Sequence, residues 1–316
     1  MKILIISGFL GAGKTTFIKE LIHKTDIHPV IMENEYGDNN IDSKDLQQEN
    51  SQGESLQILE FMEGCVCCTM KDSFVNSVLS VYASLSPEYL VIEPTGVGKL
   101  GSILDNLKPI LHGDISLLKP VTVLSPSNFE DNMRQWPELY KNQIEAAQII
   151  AFSKCEHESL GVIKAVSDKI HAINPNAELL PGHYKNVDAD WWKELMEAGA
   201  SETKSNTVDT KNPSSSFSQV TFDGVGFHSP TELVMLLEDC LHGEFGNIAR
   251  AKGTLWAGGE LIRFDLADRM YEVGASPVED CQCVFIGENL DKNRLKKRLA
   301  FSEKSHRDRV RLRKTV

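Results

Sequence analysis

The 316-residue chain has no run of roughly 18 consecutive apolar residues, so no stretch of it reads as a membrane-spanning helix. It also lacks an excess of positive charge: 33 Lys and Arg stand against 45 Asp and Glu, a formal net charge of -12. A surface of that sign repels a phosphate backbone. This excludes nucleic acid as the main partner but leaves room for a small polyphosphate held by a dedicated loop. There is no evenly spread cysteine framework either. The seven cysteines are odd in number and clustered, the pattern of reduced thiols in a cytoplasmic protein. The start "MKILIISGFLGAG" has one lysine and a short apolar stretch, but a loop motif follows at once, so it reads as a buried first strand and not as a signal peptide. No internal repeat is present.

What the chain does have is alternation. "KILIIS", "PVIME", "LQILEF", "EYLVIEP", "LKPVTVL" and "AAQIIAF" are short apolar runs, and helical patterns stand between them, among them Lys14 to about Lys24 and Lys71 to Ala83. Short β-branched runs separated by helices predict an α/β fold with a mostly parallel sheet and right-handed crossovers. The stretch from Gly199 to Ser216 is rich in Ser, Thr, Asn and Asp and reads as a linker. Beyond it "FSQVTFDG", "IARAKGTLW", "LIRFDLADRMYEV" and "CQCVFIG" read as strands, the third of them bent or doubled. "SPTELVMLLEDCLHG" and "NLDKNRLKKRLAF" read as helices, which together predict a smaller α+β domain. The expected division is 1–198, a linker at 199–216, a second domain at 217–302 and a basic, solvated tail at 303–316.

"GFLGAGKTT", Gly8 to Thr16, satisfies G-x-x-x-x-G-K-[ST] and lies between a predicted strand and a predicted helix, the context in which the motif binds phosphates. Gly8, Gly11 and Gly13 let the backbone curl around an anion. The amides of this loop, Ala12 and Thr16 included, and the helix N-terminus then hold the phosphates. Lys14 is expected on the β- and γ-phosphates and Thr15 on Mg²⁺. "YLVIEPTG" runs four apolar residues into Glu93, a second expected Mg²⁺ partner, and Gly96 would offer an amide to the γ-phosphate.

A guanine-reading segment usually carries Asn-Lys-x-Asp after a later strand, its carboxylate taking the two guanine N–H donors while the lysine stem covers the ring. "IIAFSKCE" occupies that place, with Ser153 for Asn, Lys154 retained and Glu156 for Asp. GTP is therefore the expected nucleotide, with weaker discrimination against ATP.

"EFMEGCVCCTM" brings Cys65, Cys67 and Cys68 together. C-x-x-C is the spacing of a zinc half-site, C-x-C adds a third thiolate, and three soft ligands suit Zn²⁺, Cu⁺ or Co²⁺. A fourth ligand must come from elsewhere: Glu35 and Asp38 in "ENEYGDNNID" are candidates, and His157 and His183 are accessory candidates. Cys281 and Cys283 alternate on a strand and read as core residues, as do the single thiols Cys155 and Cys240.

Taken together, "GFLGAGKTT", "ENEYGDNNID", "GCVCCTM", "EPTG" and "SKCE", followed by "RAKGTLW" and "CVFIGENLDKNRLKKRL", resemble the CobW-like GTPases, relatives of HypB and UreG. The resemblance covers most of the chain. It implies a P-loop G domain, a ferredoxin-like C-terminal domain and slow GTP hydrolysis coupled to metal delivery. It also implies Cys65, Cys67 and Cys68 as transition-metal ligands, Glu35 as the acid of the family's N-E-[FY]-G segment, and Asp38 where Glu is more usual. A client metalloprotein is the implied partner, and a homodimer is left open. The absence of a His-rich tract argues against metal storage. Two other readings use the same phosphate loop: an ATP-dependent small-molecule kinase, which leaves the thiols idle, and a nucleotide-regulated thiol redox module.

Overall fold

The computed structural model describes residues 1–33, 57–60, 71–201, 217–276 and 281–299. The expected transition-metal ligands Glu35, Asp38, Cys65, Cys67 and Cys68 lie outside the described residues, as does the basic tail. The chain divides into two compact units, Met1–Ser214 and Ser215–Val316.

In the first unit, β1 (Lys2–Ser7) is the spine. Strands β2 (Val30–Glu33), β3 (Ile58–Glu60) and β4 (Tyr89–Glu93) lie on one side of it. Strands β6 (Val121–Leu124), β7 (Ile149–Phe152) and β8 (Glu178–His183) lie on the other. The order is β3-β2-β4-β1-β6-β7-β8, with the short β5 (Ser116–Leu117) also on β1, and every pairing is parallel. A parallel sheet needs crossover helices, and among the described residues these are α1 (Lys14–Thr25), α2 (Lys71–Leu85), α3 (Leu100–Leu107), α4 (Phe129–Gln135), α5 (Pro137–Ala146) and α6 (Leu160–Ile173), while α7 (Ala189–Leu195) follows the last strand. Covering by helices on both faces explains why the strands are continuously apolar and do not alternate: Ile3, Leu4, Ile5 and Ile6 are all fully buried. Leu4 and Ile6 pack with Phe17, Ile18 and Leu21 of α1 and with Trp192 and Leu195 of α7. The Phe17 ring lies 4.9 Å from both Trp192 and Tyr184, centroid to centroid.

The second unit is antiparallel. Its strands are β9 (Phe217–Asp223), β10 (Gly226–Phe227), β11 (Asn247–Ala257), β12 (Glu260–Ala267), β13 (Met270–Ala275) and β14 (Gln282–Glu288). They run in the order β13-β12-β11-β14-β9, and β10 adds a short parallel pairing to β11. The stretch expected to be bent or doubled is doubled: Ala267 faces Met270 across a two-residue turn at Asp268 and Arg269, both left-handed (φ 53° and 58°). Helices α8 (Pro230–Leu241) and α9 (Lys292–Leu299) bury Leu233, Leu236, Leu237, Leu295 and Leu299 in one core with Ala251, Leu255, Phe264 and Phe285 of the sheet. Pro230 opens α8, where its missing N–H costs nothing, and the Glu232 carboxylate accepts from the His228 amide at 2.8 Å. Cys283 is fully buried in this core and Cys240 is buried in α8, so both are the structural thiols expected. Burial, foremost, drives the Cys240 thiol up to about 12, which keeps it protonated and unreactive. Cys281, just before β14, is only half-buried.

Among the described residues, no helix is long and apolar enough to cross a membrane.

Candidate nucleotide site

All strands of the first sheet are parallel, so their C-terminal ends lie at one edge, where α/β proteins place their ligands. Several described residues stand where strands end at this edge. Gly8 follows β1, Glu93 ends β4, Ser153 follows β7 and His183 ends β8.

The phosphate loop turns back on itself, the Ala12 amide donating to the Phe9 carbonyl at 3.1 Å. Gly13 caps α1 with a left-handed backbone (φ 88°), which a Cβ would strain, and points the first amides of α1 into the loop. Lys14 is 7% exposed, and its Nζ donates to the Phe9 carbonyl at 3.4 Å and lies 3.9 Å from Glu93 Oε1. The Thr15 hydroxyl sits 3.1 Å from each Glu93 carboxylate oxygen. Loop lysine, helix threonine and strand-end carboxylate therefore converge. A hydroxyl and a carboxylate are hard oxygen donors, the set that Mg²⁺ prefers.

Gly96 is held against the same loop. A Cβ there would lie 2.5 Å from the Leu10 amide nitrogen, so only glycine allows this approach. The segment is clamped from behind by Gln143 of α5, fully buried, whose Nε2 donates to the carbonyls of Gly96 and Gly98 at 3.1 Å each. The backbone carbonyl of Gln143 accepts from the Thr122 hydroxyl of β6 at 2.9 Å. This role was not read from the sequence. Its one signal is a polar residue on the apolar face of α5, beside Leu139, Tyr140 and Ile144.

Ser153 does something different from what its motif position suggests. It is buried, and its hydroxyl donates to the Ala12 carbonyl at 2.7 Å, with the Leu124 carbonyl at 3.2 Å. It thus ties the candidate base-reading segment to the phosphate loop. Lys154 follows with a left-handed backbone (φ 50°), and the Glu156 side chain is 58% exposed. Glu156 Oε1 lies 3.0 Å from His183 Nε2. His183 Nδ1 accepts from the Lys185 amide at 3.1 Å, so both ring nitrogens are engaged and His183 is not poised as a metal ligand.

A further carboxylate went unremarked in the sequence. Glu33 ends β2, is 3% exposed, and stands in register with Glu93 on one side and Glu60 on the other. Three glutamates thus end three adjacent strands. The chain from β2 continues toward Glu35 and Asp38, and the chain from β3 continues toward Cys65. Among the described residues no group of three His, Cys, Asp or Glu side chains is arranged to hold a metal ion.

A parallel α/β sheet whose first strand runs through a glycine-rich lysine loop into a helix, with a strand-end acid on the helix threonine, defines a P-loop nucleotide-binding domain. The chain belongs to the CobW/HypB/UreG family: the model for that nucleotide-binding domain matches residues 2–181, and the cobalamin synthesis protein CobW C-terminal domain matches residues 217–301. Among known proteins it is 24% identical, over 65% of this chain and 50% of the relative, to zinc-regulated GTPase metalloprotein activator 1 of Dictyostelium discoideum. It is 23% identical, over 85% of this chain and 86% of the relative, to the zinc chaperone YjiA of Escherichia coli. A crystal structure of Zn(II)-bound YjiA GTPase aligns over 96% of this chain and 99% of that one, at 18% identity and a TM-score of 0.43. The chain spans about half the length of several relatives, 46% in the Schizosaccharomyces pombe activator and 54% in a Sinorhizobium CobW.

Proposed function

We propose that the chain is a GTP-hydrolysing metallochaperone. It holds zinc, or another soft transition metal, through Cys65, Cys67 and Cys68 with Glu35 or Asp38, and delivers it to a client metalloprotein. The observation that carries this reading is the register of β3, β2 and β4. Glu60 and Glu93 stand two strand spacings apart, about 10 Å. The five residues from Glu60 to Cys65 can extend the chain by at most about 18 Å. Cys65 is therefore tethered within roughly 30 Å of the carboxylate beside Thr15, and Cys67 and Cys68 follow it directly in sequence. Names borne by the relatives, zinc chaperone and zinc-regulated GTPase metalloprotein activator, support the same reading.

In this scheme the loop amides and Lys14 bind and orient the triphosphate, and Lys14 neutralises charge developing on the β–γ bridge. Thr15 and Glu93 would hold Mg²⁺, which when bound supplies charge neutralisation on the phosphate oxygens. Gly96, fixed by Gln143, offers its amide to the γ-phosphate, so the length of the phosphate chain is felt at the end of β4. The first unit has a single arginine, Arg134, exposed and paired with Asp131, so unaided turnover is slow. Lys154 and Glu156 read the base, which makes GTP the preferred nucleotide.

The test is replacement of Cys67 by Ser. Tight Zn²⁺ binding by the anaerobically purified protein is lost while nucleotide affinity stays unchanged. Unchanged zinc affinity would remove the cysteine assignment.

A further inference from the structure

Glu156 has one more rotatable bond than the aspartate usual at its position, and it is more exposed than buried. A carboxylate that discriminates bases has to be held still, because the freedom it would otherwise lose on binding weakens the contact. The structure supplies a holder. A backbone amide can only donate, so the Lys185 N–H at 3.1 Å makes His183 Nδ1 an acceptor and places the ring proton on Nε2. That proton points at Glu156 Oε1, 3.0 Å away. The imidazole itself is fixed, 8% exposed and packed on Tyr184 with ring centroids 4.6 Å apart.

We propose that His183 is a specificity-determining positioning residue, whose Nε2–H clamps the Glu156 carboxylate in the orientation that pairs with the two N–H donors of guanine. The proposal rests on Glu156 being the base-reading acid. A neutral donor is the right partner. It leaves the carboxylate charged, and each oxygen has two lone pairs, so Oε1 keeps one and Oε2 keeps both for the base. Guanine then makes two bonds to the fixed carboxylate. Adenine offers one donor beside a ring nitrogen whose lone pair faces the second oxygen.

Acid removes the anchor of the ring while leaving its Nε2–H in place. A proton on Nδ1 would face the Lys185 amide, donor against donor. The groups facing the imidazole are Glu156 after β7, Lys185 after β8 and Glu20 on α1. Burial, the largest influence, lowers the pKa of the ring below its ordinary 6.5 against the pull of the two glutamates, so the neutral tautomer prevails at neutral pH.

The experiment titrates the full chain with Mg²⁺–GDP and Mg²⁺–ADP. His183→Ala lowers the GDP-over-ADP preference about tenfold, the scale of one charge-assisted hydrogen bond, and leaves ADP affinity unchanged. His183→Gln, which keeps an N–H donor, restores most of the preference. Should His183→Ala fail to fold, His183→Phe keeps the ring on Tyr184, removes both nitrogens and is read the same way. Equal weakening of both nucleotides in His183→Ala would show a merely structural role and overturn the proposal. So would an unchanged preference in His183→Ala if Glu156→Ala abolishes it. An unchanged preference in Glu156→Ala would instead overturn the base-reading assignment itself.

Discussion

The two units of the chain use charge in opposite ways. In the first, charged and polar side chains gather where parallel strands end: Lys14, Thr15 and Glu93 meet at one edge, and the buried Glu33 stands beside them in register. In the second, the described charges pair across neighbouring elements. Arg250 on β11 bonds Asp265 on β12, its diagonal neighbour, at 2.8 Å, and Arg294 on α9 bonds Glu244 at 2.6 Å. Parallel strands leave their ends to loops that must find partners, including ligands. An antiparallel sheet sets side chains of neighbouring strands beside one another, so a charge such as Arg250 finds its partner within the sheet. On the proposed function, nucleotide chemistry belongs to the first unit, and damage to the second should spare it.

The largest effect expected is on nucleotide affinity. Lys14→Ala removes the loop cation and should weaken Mg²⁺–GTP binding by at least about a hundredfold, roughly 2.7 kcal/mol, measured by titration calorimetry with the circular dichroism spectrum unchanged. Two glycine replacements then sharpen the comparison, because they strain the two units alike. A Cβ at Gly96 would meet the Leu10 amide nitrogen at 2.5 Å, and one at Gly253 would meet the Gln282 carbonyl at 2.3 Å. Each alanine should cost about 1–3 kcal/mol in thermal unfolding. Only Gly96→Ala should also impair nucleotide binding, and equal impairment by Gly253→Ala would erase the distinction.

A smaller effect follows from His183. Its folded pKa lies below the ordinary 6.5, burial being the main cause, so the unfolded chain takes up its proton first as pH falls. Its contribution to stability is fully present above 6.5 and is lost as pH drops through the folded value. The unfolding midpoint of His183→Gln should accordingly depend less on pH in that window. Smallest is Asp265→Asn in the second unit. Breaking a partly exposed pair should cost about 0.5–1 kcal/mol and leave nucleotide affinity alone.

Much of this site was legible in the sequence, for physical reasons. The phosphate loop and Glu93 announce themselves because their chemistry needs residue types at fixed spacing after an apolar strand. Ser153 was legible only as a departure from a motif. Its bond to Ala12 joins residues distant in sequence, and nothing local encodes it. Gln143 and His183 were obscure for the same reason, since the groups they hold, Gly96 and Glu156, belong to other elements. The fold shows the same boundary. The strands of the first unit's core read clearly as apolar runs, but β8 did not, because "ELLPGH" carries a proline and a glycine that an edge strand tolerates. The β12–β13 hairpin was half-visible, because Asp268 and Arg269 adopt left-handed conformations without a glycine to signal the turn.

The central claim, that one edge of the first sheet couples nucleotide to metal, has a direct test in linkage. Zn²⁺ affinity of the full chain is measured by competition with a chelator in the presence of Mg²⁺ and a non-hydrolysable GTP analogue, with Mg²⁺–GDP, and with no nucleotide. The account predicts that the triphosphate state differs from the other two by at least about fivefold, and that Zn²⁺ changes analogue affinity by the same factor. Equal zinc affinity in all three states would contradict it.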